Sequence, residues 1–263
     1  MIATPVLRSV RSELAKLSWR SGLWYTIVPL AVLIPLGLNF GIAKAVEASK
    51  FDGGGGMDTD NAAYWIIVFS TFILMSAGVT SLCAEYKDNT VQIAYGIQPR
   101  RWLLPVAKLI VFGVISAVTA AVTTVIVLAG FPRVFPDIWG RVELFSAEGL
   151  RLWLGIPLLT VLVCALGLGL SALIPKPAVV VTIVLLWKFG LEVFVTFIPG
   201  EVGMTLQEWS PFKNGELGVG QMATFDSVFG GENGSLLYFA VLCVAVFVAG
   251  TVRSSVLDMK NDQ

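Results

Sequence analysis

Six long apolar runs, separated by polar segments, set the pattern of hydrophobic and polar positions along this chain. Each run is close to the roughly 20 residues that an α-helix needs to cross the hydrocarbon core of a membrane. The pattern predicts spanning helices over residues 23–43, 62–84, 105–131, 150–173, 178–198 and 235–252. Pro29 and Pro35 each remove a backbone hydrogen bond, so we expect the first span to be bent.

Residues 1–22 carry a shorter, amphipathic pattern. Apolar residues recur at helical spacing along one side and basic residues occupy the other: Val6, Val10, Leu14 and Leu17 against Arg8, Arg11, Lys16 and Arg20. This predicts a helix lying in the plane of the lipid headgroups, with a cytosolic surface helix as the alternative. No small-residue cleavage site follows a short apolar region, so we do not expect a signal peptide.

The polar segment 85–104 separates the second and third predicted spans. Pro99, Arg100 and Arg101 precede Trp102, which favours contact of this end with the headgroups. Between Thr90 and Gln98, apolar residues stand among polar ones: Val91, Ile93, Ala94 and Ile97. We expect this part to dock on a partner. The alternative is a solvated loop.

Composition and charge place the chain in a membrane. Hydrophobic residues make up 56% of it and charged residues 14%, whereas soluble domains have about 45–50% and 25%. Mean hydropathy is +0.80. Basic residues prevail on one side of the predicted spans, which holds residues 1–22, 85–104 and 253–263. Acidic residues prevail on the other side, which holds residues 44–61, 132–151 and 199–234. This asymmetry predicts that both termini are cytoplasmic.

The sequence therefore predicts an all-α integral membrane protein with six transmembrane helices and an N-terminal amphipathic interfacial helix. Residues 199–234 are long for a loop and contain two short amphipathic pieces, 202–209 and 217–229. We expect short helices there, in the last extracellular loop.

Chemistry-bearing residues are few. Lys188 and Glu192 are charged residues deep inside a predicted span, and their i,i+4 spacing lets them meet on one helical face. They predict either a polar lining of a substrate path or subunit seam, or a mutually neutralised pair. Small residues on neighbouring turns of the fourth span predict close packing between helices: Gly167, Gly169, Ser171 and Ala172.

Enzyme chemistry is not indicated. Histidine is absent and the three cysteines lie in apolar runs, so neither a general base nor a metal motif is visible. The glycines near residue 54 lack the Lys-Ser/Thr of a phosphate loop. We expect no catalytic, cofactor or metal site in this chain and no nucleic-acid partner.

The order of these parts resembles the permease subunit of ABC-2 type exporters, a bacterial family with six spans per subunit. The resemblance rests on Arg-Ser-Glu-Leu-Ala-Lys-Leu at 11–17 before the first span, Glu-Tyr-Lys-Asp-Asn-Thr at 85–90 after the second, and Pro-Arg-Arg at 99–101 before Ala107-Lys108-Leu109. It covers essentially the whole chain. Asp88-Asn89 departs from the family, which often has a basic residue followed by glycine there.

The resemblance implies a bacterial plasma membrane protein that works as a pair of permease subunits, the second being the same chain or a paralogue. Each would be served by a separate cytoplasmic ATP-binding subunit that holds ATP and Mg. The N-terminal "elbow" helix and the loop after the second span would contact that subunit. The residues so assigned are Arg11, Glu13, Lys16, Glu85, Thr90, Val91, Ile93, Ala94, Ile97, Arg100 and Arg101.

Two other functions remain open. An ion-coupled secondary transporter should show internal repeats and several buried charges near the midplane, whereas this sequence has one such pair and no evident repeat. A structural or sensory membrane subunit is the other. For an exporter, so apolar a bundle favours an amphipathic or lipophilic cargo.

Overall fold

A computed structural model describes residues 3–49, 56–88, 90 and 100–256. Most of these residues are helical, and none forms a strand. In chain order the helices of eight or more residues are α1 (Ala3–Lys16), α2 (Leu23–Ala48), α3 (Thr59–Lys87), α4 (Leu103–Val134), α5 (Ala147–Leu173), α6 (Pro177–Val195), α7 (Gly200–Glu208), α8 (Pro211–Gly218) and α9 (Glu232–Val256). Six of them, α2 to α6 and α9, are long and apolar enough to cross a membrane. The chain is an all-α, multi-pass membrane protein.

The number and positions of the predicted spans are confirmed, and their ends differ by a few residues. Most helices continue past the apolar run because polar residues also extend a helix. At the start of α5, Ser146 lies before the first turn and its Oγ accepts a hydrogen bond from the Gly149 backbone N–H at 3.0 Å. The fifth span instead ends at Val195, three residues before the predicted end at Ile198, because the chain turns ahead of Pro199.

Helix α5 forms the centre of the bundle and packs against α3, α4 and α9. The predicted close packing of small residues is confirmed on this helix. A Cβ atom added at Gly167 would lie 2.6 Å from Met75 of α3, and one at Gly169 would lie 2.6 Å from the Phe247 backbone of α9. Glycine therefore sets the separation of these helices.

Helices α2 and α6 lie at the periphery. Only 22% of the most apolar stretch of each is buried, against 72% for α5. Helix α2 begins with a π-helical turn, Leu23–Ile27, and then continues through Pro35 without a break. Another π-helical turn, Leu186–Leu191, lies within α6 and changes the faces on which its later residues project.

The prediction for residues 199–234 is partly wrong. Helix α7 overlaps the first predicted piece, but α8 ends at Gly218 and most of 217–229 is irregular. Pro211 occupies the first position of α8, where its missing N–H is tolerated. Beyond the helix, Gly220 has a φ of 91°, and Gly231, just before α9, has a φ of 96°. Both values belong to the left-handed region that glycine favours.

Candidate functional site

Helix α1 packs against α4 through one face. That face carries half-buried Val6, Val10 and Leu17 together with Glu13, which is 5% exposed. Leu14, predicted on the apolar stripe, is 50% exposed. Glu13, which is not part of that stripe, is buried on the packed face because its carboxylate has a partner inside the bundle.

That partner is Lys108 of α4, which is 1% exposed. Its Nζ donates hydrogen bonds to Glu13 Oε2 at 2.7 Å and Ser81 Oγ at 2.8 Å, and to Glu85 Oε1 at 3.2 Å. Lys16 Nζ lies 2.6 Å from both Glu13 Oε1 and Glu85 Oε1. We call Glu13, Lys16, Glu85 and Lys108 the α1 cluster. Two carboxylates and two ammonium groups balance within it.

The α1 cluster holds three helices together. Glu13 and Lys16 belong to α1, Glu85 to the last turns of α3 and Lys108 to the first turns of α4. A buried ammonium group is costly unless opposite charges and hydrogen bonds compensate it, and here Lys108 has three acceptors. Burial opposes the charge on Lys16, but its hydrogen bonds to Glu13 and Glu85 raise the pKa of Lys16 above its usual value.

The cluster extends to the start of the polar segment. The Thr90 hydroxyl donates to Glu85 Oε2 at 2.6 Å, and Thr90 itself is exposed. Arg11 and Arg100 are also exposed, whereas Arg101 is half-buried. Four of the predicted partner-contact residues lie outside the described residues: Val91, Ile93, Ala94 and Ile97.

The structure changes the interpretation of two predicted contact residues. The carboxylates of Glu13 and Glu85 point to Lys108 inside the chain, so in this arrangement they are not part of an outer docking surface. Sequence reasoning assigned no role to Lys108 or Ser81. The signal was present, since Lys108 is a single lysine more than one turn inside an apolar run and Glu85 lies at the matching end of the preceding run.

A second group of charges lies at the opposite end of the bundle. Lys188 and Glu192 are both buried, but they do not form the predicted i,i+4 pair. Lys188 Nζ lies 2.5 Å from Glu216 Oε1 on α8. Glu192 accepts hydrogen bonds from the backbone N–H groups of Phe212 and Lys213, both at 2.9 Å.

The pairing prediction fails for two physical reasons. The π-helical turn Leu186–Leu191 alters the register between Lys188 and Glu192. The first N–H groups of α8 have no partner within their own helix, so they favour a carboxylate. We call Lys188, Glu192 and Glu216 the α8 cluster; the role of Glu216 was missed from the sequence.

The α8 cluster attaches peripheral α6 to the rest of the bundle, because α8 itself packs on α5 and α9. The Phe212 ring of α8 lies 5.7 Å from Phe72 of α3 and 5.4 Å from Phe239 of α9. Lys213 of α8 lies outside the spanning helices. Burial and the nearby positive charge of Lys188 lower the pKa of Lys213.

An apolar cleft lies between α3 and α6, at the middle of both helices. Its volume is about 490 Å³, within the range of small-molecule sites. Its lining has a single polar side chain, Ser76, and is otherwise made by Val68, Phe69, Phe72, Ile73, Val181, Leu185 and Phe189. Such a lining can hold hydrocarbon or aromatic groups and offers no charge to a ligand.

Comparisons of the chain with protein-family models, with curated proteins and with solved structures find no match. The fold defines the class of protein, an all-α multi-pass membrane protein. Its function is inferred from the two clusters and the cleft.

Proposed function

We propose that this chain is the permease subunit of an ATP-driven exporter of the ABC-2 type. It moves an amphipathic or lipophilic substrate out of a bacterial cell, and a separate cytoplasmic subunit hydrolyses ATP. The observation that carries the proposal is the α1 cluster, which joins α1 to α3 and α4, the helices on either side of the polar segment.

A permease driven by a separate ATPase needs a part outside the membrane that moves together with its spans. The α1 cluster provides this mechanical connection, because Glu13 of α1 and Glu85 of α3 bind the same lysine of α4. Displacement of α1 or of the polar segment would therefore be transmitted to α3 and α4 as one unit.

Helix α3 connects this unit to the cleft. It carries Glu85 near one end, and Phe69 and Phe72 of the cleft lining near its middle. A rigid shift of α3 would change the cleft, so binding of cargo there could be linked to closure of the ATPase. The uncharged lining favours a substrate with hydrocarbon or aromatic parts.

The proposed docking surface belongs to the polar segment that follows the cluster along the chain. Thr90 and Arg100 stand at the ends of the polar segment, and Ile93 and Ile97 retain the docking role proposed from the sequence. The proposed orientation, with both termini in the cytoplasm, rests on the distribution of basic residues. A second permease subunit would cover a peripheral helix.

No observation favours an ion-coupled transporter. Such a protein places titratable groups on its transport path. Among the described residues, the cleft lining has no charged side chain, and Lys188 and Glu192 are engaged with α8 instead.

The test is reconstitution of the full chain, purified from its native membrane in mild detergent, into liposomes. We expect an ATP-hydrolysing subunit to copurify, and transport of a fluorescent lipid to require ATP and to stop with vanadate. Ile93→Ser/Ile97→Ser should abolish coupling. The matched control Val114→Ser/Val118→Ser, on a membrane-exposed face of α4, should retain it. Transport without ATP or any partner would refute the proposal.

A further inference from the structure

Helix α1 has three distinct faces. Its buried face, which carries Val6, Val10 and Glu13, packs on α4. At 3.6 residues per turn, Leu7 and Leu14 project within about 20° of each other and roughly a quarter turn from that face. They are 51% and 50% exposed. Arg11 and Arg8 follow on the next face, and both are exposed.

The α1 cluster fixes the depth of α1 in the membrane. Helix α4 has 32 residues, about 48 Å at 1.5 Å per residue, and the hydrocarbon core is about 30 Å thick. A centred α4 therefore extends about 9 Å beyond the core at each end. Lys108 is five residues after Leu103, about 7.5 Å along the helix, so its bond to Glu13 holds α1 at the boundary between headgroups and acyl chains.

At that depth the exposed side chains of α1 match the layers of a lipid leaflet. Leu7 and Leu14 can enter the acyl layer while Arg8 and Arg11 reach the headgroups. Trp19 follows the helix, is 85% exposed and lies 6.1 Å from Trp24, as expected for aromatic residues at an interface.

The charges of α1 select the kind of lipid. Glu13 is the single acidic residue in its sequence, and its carboxylate is neutralised by Lys108 and Lys16. Every charge that α1 shows outside the cluster is therefore positive. We propose that the Leu7, Arg8, Arg11 and Leu14 surface of α1 binds anionic phospholipids of the leaflet at this end of the bundle, with the arginines on the phosphates. This inference does not depend on the exporter function.

The test uses the full chain in nanodiscs of phosphatidylcholine containing dansyl-labelled phosphatidylglycerol. Binding is read as energy transfer from tryptophan, and a Trp19→Phe variant assigns the signal to the α1 end. Each basic residue near an anionic surface contributes about 1 kcal/mol. Arg8→Gln/Arg11→Gln should therefore weaken the preference for phosphatidylglycerol about thirty-fold at low salt, and salt should weaken it in the wild type.

Two controls separate charge from folding and from location. Arg8→Lys/Arg11→Lys keeps the charges and should keep the preference. Arg133→Gln/Arg141→Gln removes two arginines at the opposite end and should leave the signal unchanged. An unaltered lipid preference in Arg8→Gln/Arg11→Gln would overturn the proposal. If Arg8→Gln/Arg11→Gln keeps the lipid preference but loses a protein that copurifies with the wild type in detergent, the surface docks a protein and the proposal is also overturned.

Discussion

Replacing Lys108 by Met removes the group on which the α1 cluster depends. The substitution preserves most of the side-chain volume but leaves Glu13 and Glu85, 5% and 8% exposed, without their shared buried partner. Breaking a buried ion pair from one side costs about 3–5 kcal/mol. Lys16 still contacts both carboxylates, and its side chain is 46% exposed, so we expect the lower end of that range.

The loss should appear as undocking of α1 before global unfolding, because α1 is otherwise held by a few half-buried apolar side chains. A cost of 3 kcal/mol shifts the docking equilibrium about a hundredfold. Amide hydrogen exchange of α1 in nanodiscs measures this directly, since local opening sets the protection of those amides. Protection in the core of α5 should change far less.

Charge balance provides the decisive comparison. Glu13→Gln/Lys108→Met removes one acid and one base and leaves the Lys16–Glu85 pair, so it should recover about 1–3 kcal/mol relative to the sum of the single variants. Lys44→Met is the control outside the cluster: Lys44 pairs with exposed Glu47 and lies 5.4 Å from the Phe135 ring, so its loss should leave the protection of α1 unchanged. Wild-type protection of α1 in Lys108→Met, or additive effects in the double variant, would refute the reasoning.

Two further predictions concern the other end and the centre of the bundle. Glu192→Gln weakens the acceptor of two backbone N–H groups of α8 and should cost about 1–2 kcal/mol of local stability. The loss should appear as faster amide exchange over Pro211–Gly218. Lys213→Gln keeps its backbone donor and is the control, and equal exchange in both variants would contradict the role of Glu192. Gly169→Ala places a Cβ against the Phe247 backbone and should lower the melting temperature by several degrees. Gly37→Ala has nothing within 4 Å of its added Cβ and should leave the melting temperature unchanged. Equal melting temperatures of the two variants would show that the close approach at Gly169 does not limit stability.

The spans could be predicted from the sequence because the constraint that creates them is local. An apolar run of sufficient length forms a helix in hydrocarbon whatever its neighbours are, and the six predicted runs agree with the six long helices. The small residues of α5 were equally readable. Gly167 and Gly169 permit close contact in any arrangement, although their partner helices had to come from the structure.

The choice of partners could not be predicted, because it depends on contacts distant in sequence. Glu13 and Lys108 are 95 positions apart, and their ion pair joins α1 to α4. Lys188 similarly takes Glu216 from α8 instead of Glu192 one turn away. Sequence spacing identifies which charges can meet within a helix, but tertiary packing decides whether a better partner is available.

The location of charge in the bundle bears on where energy would enter the proposed exporter. Among the described residues, the buried charges gather at the two ends, where they attach α1 to α3 and α4 and attach α6 to α8. The cleft between α3 and α6, by contrast, carries no charged side chain. A proton or sodium gradient acts through groups that bind the ion on the transport path. In the proposed exporter the work that changes this cleft arrives through the helices, and α3 reaches from the α1 cluster to Phe72 in the cleft wall.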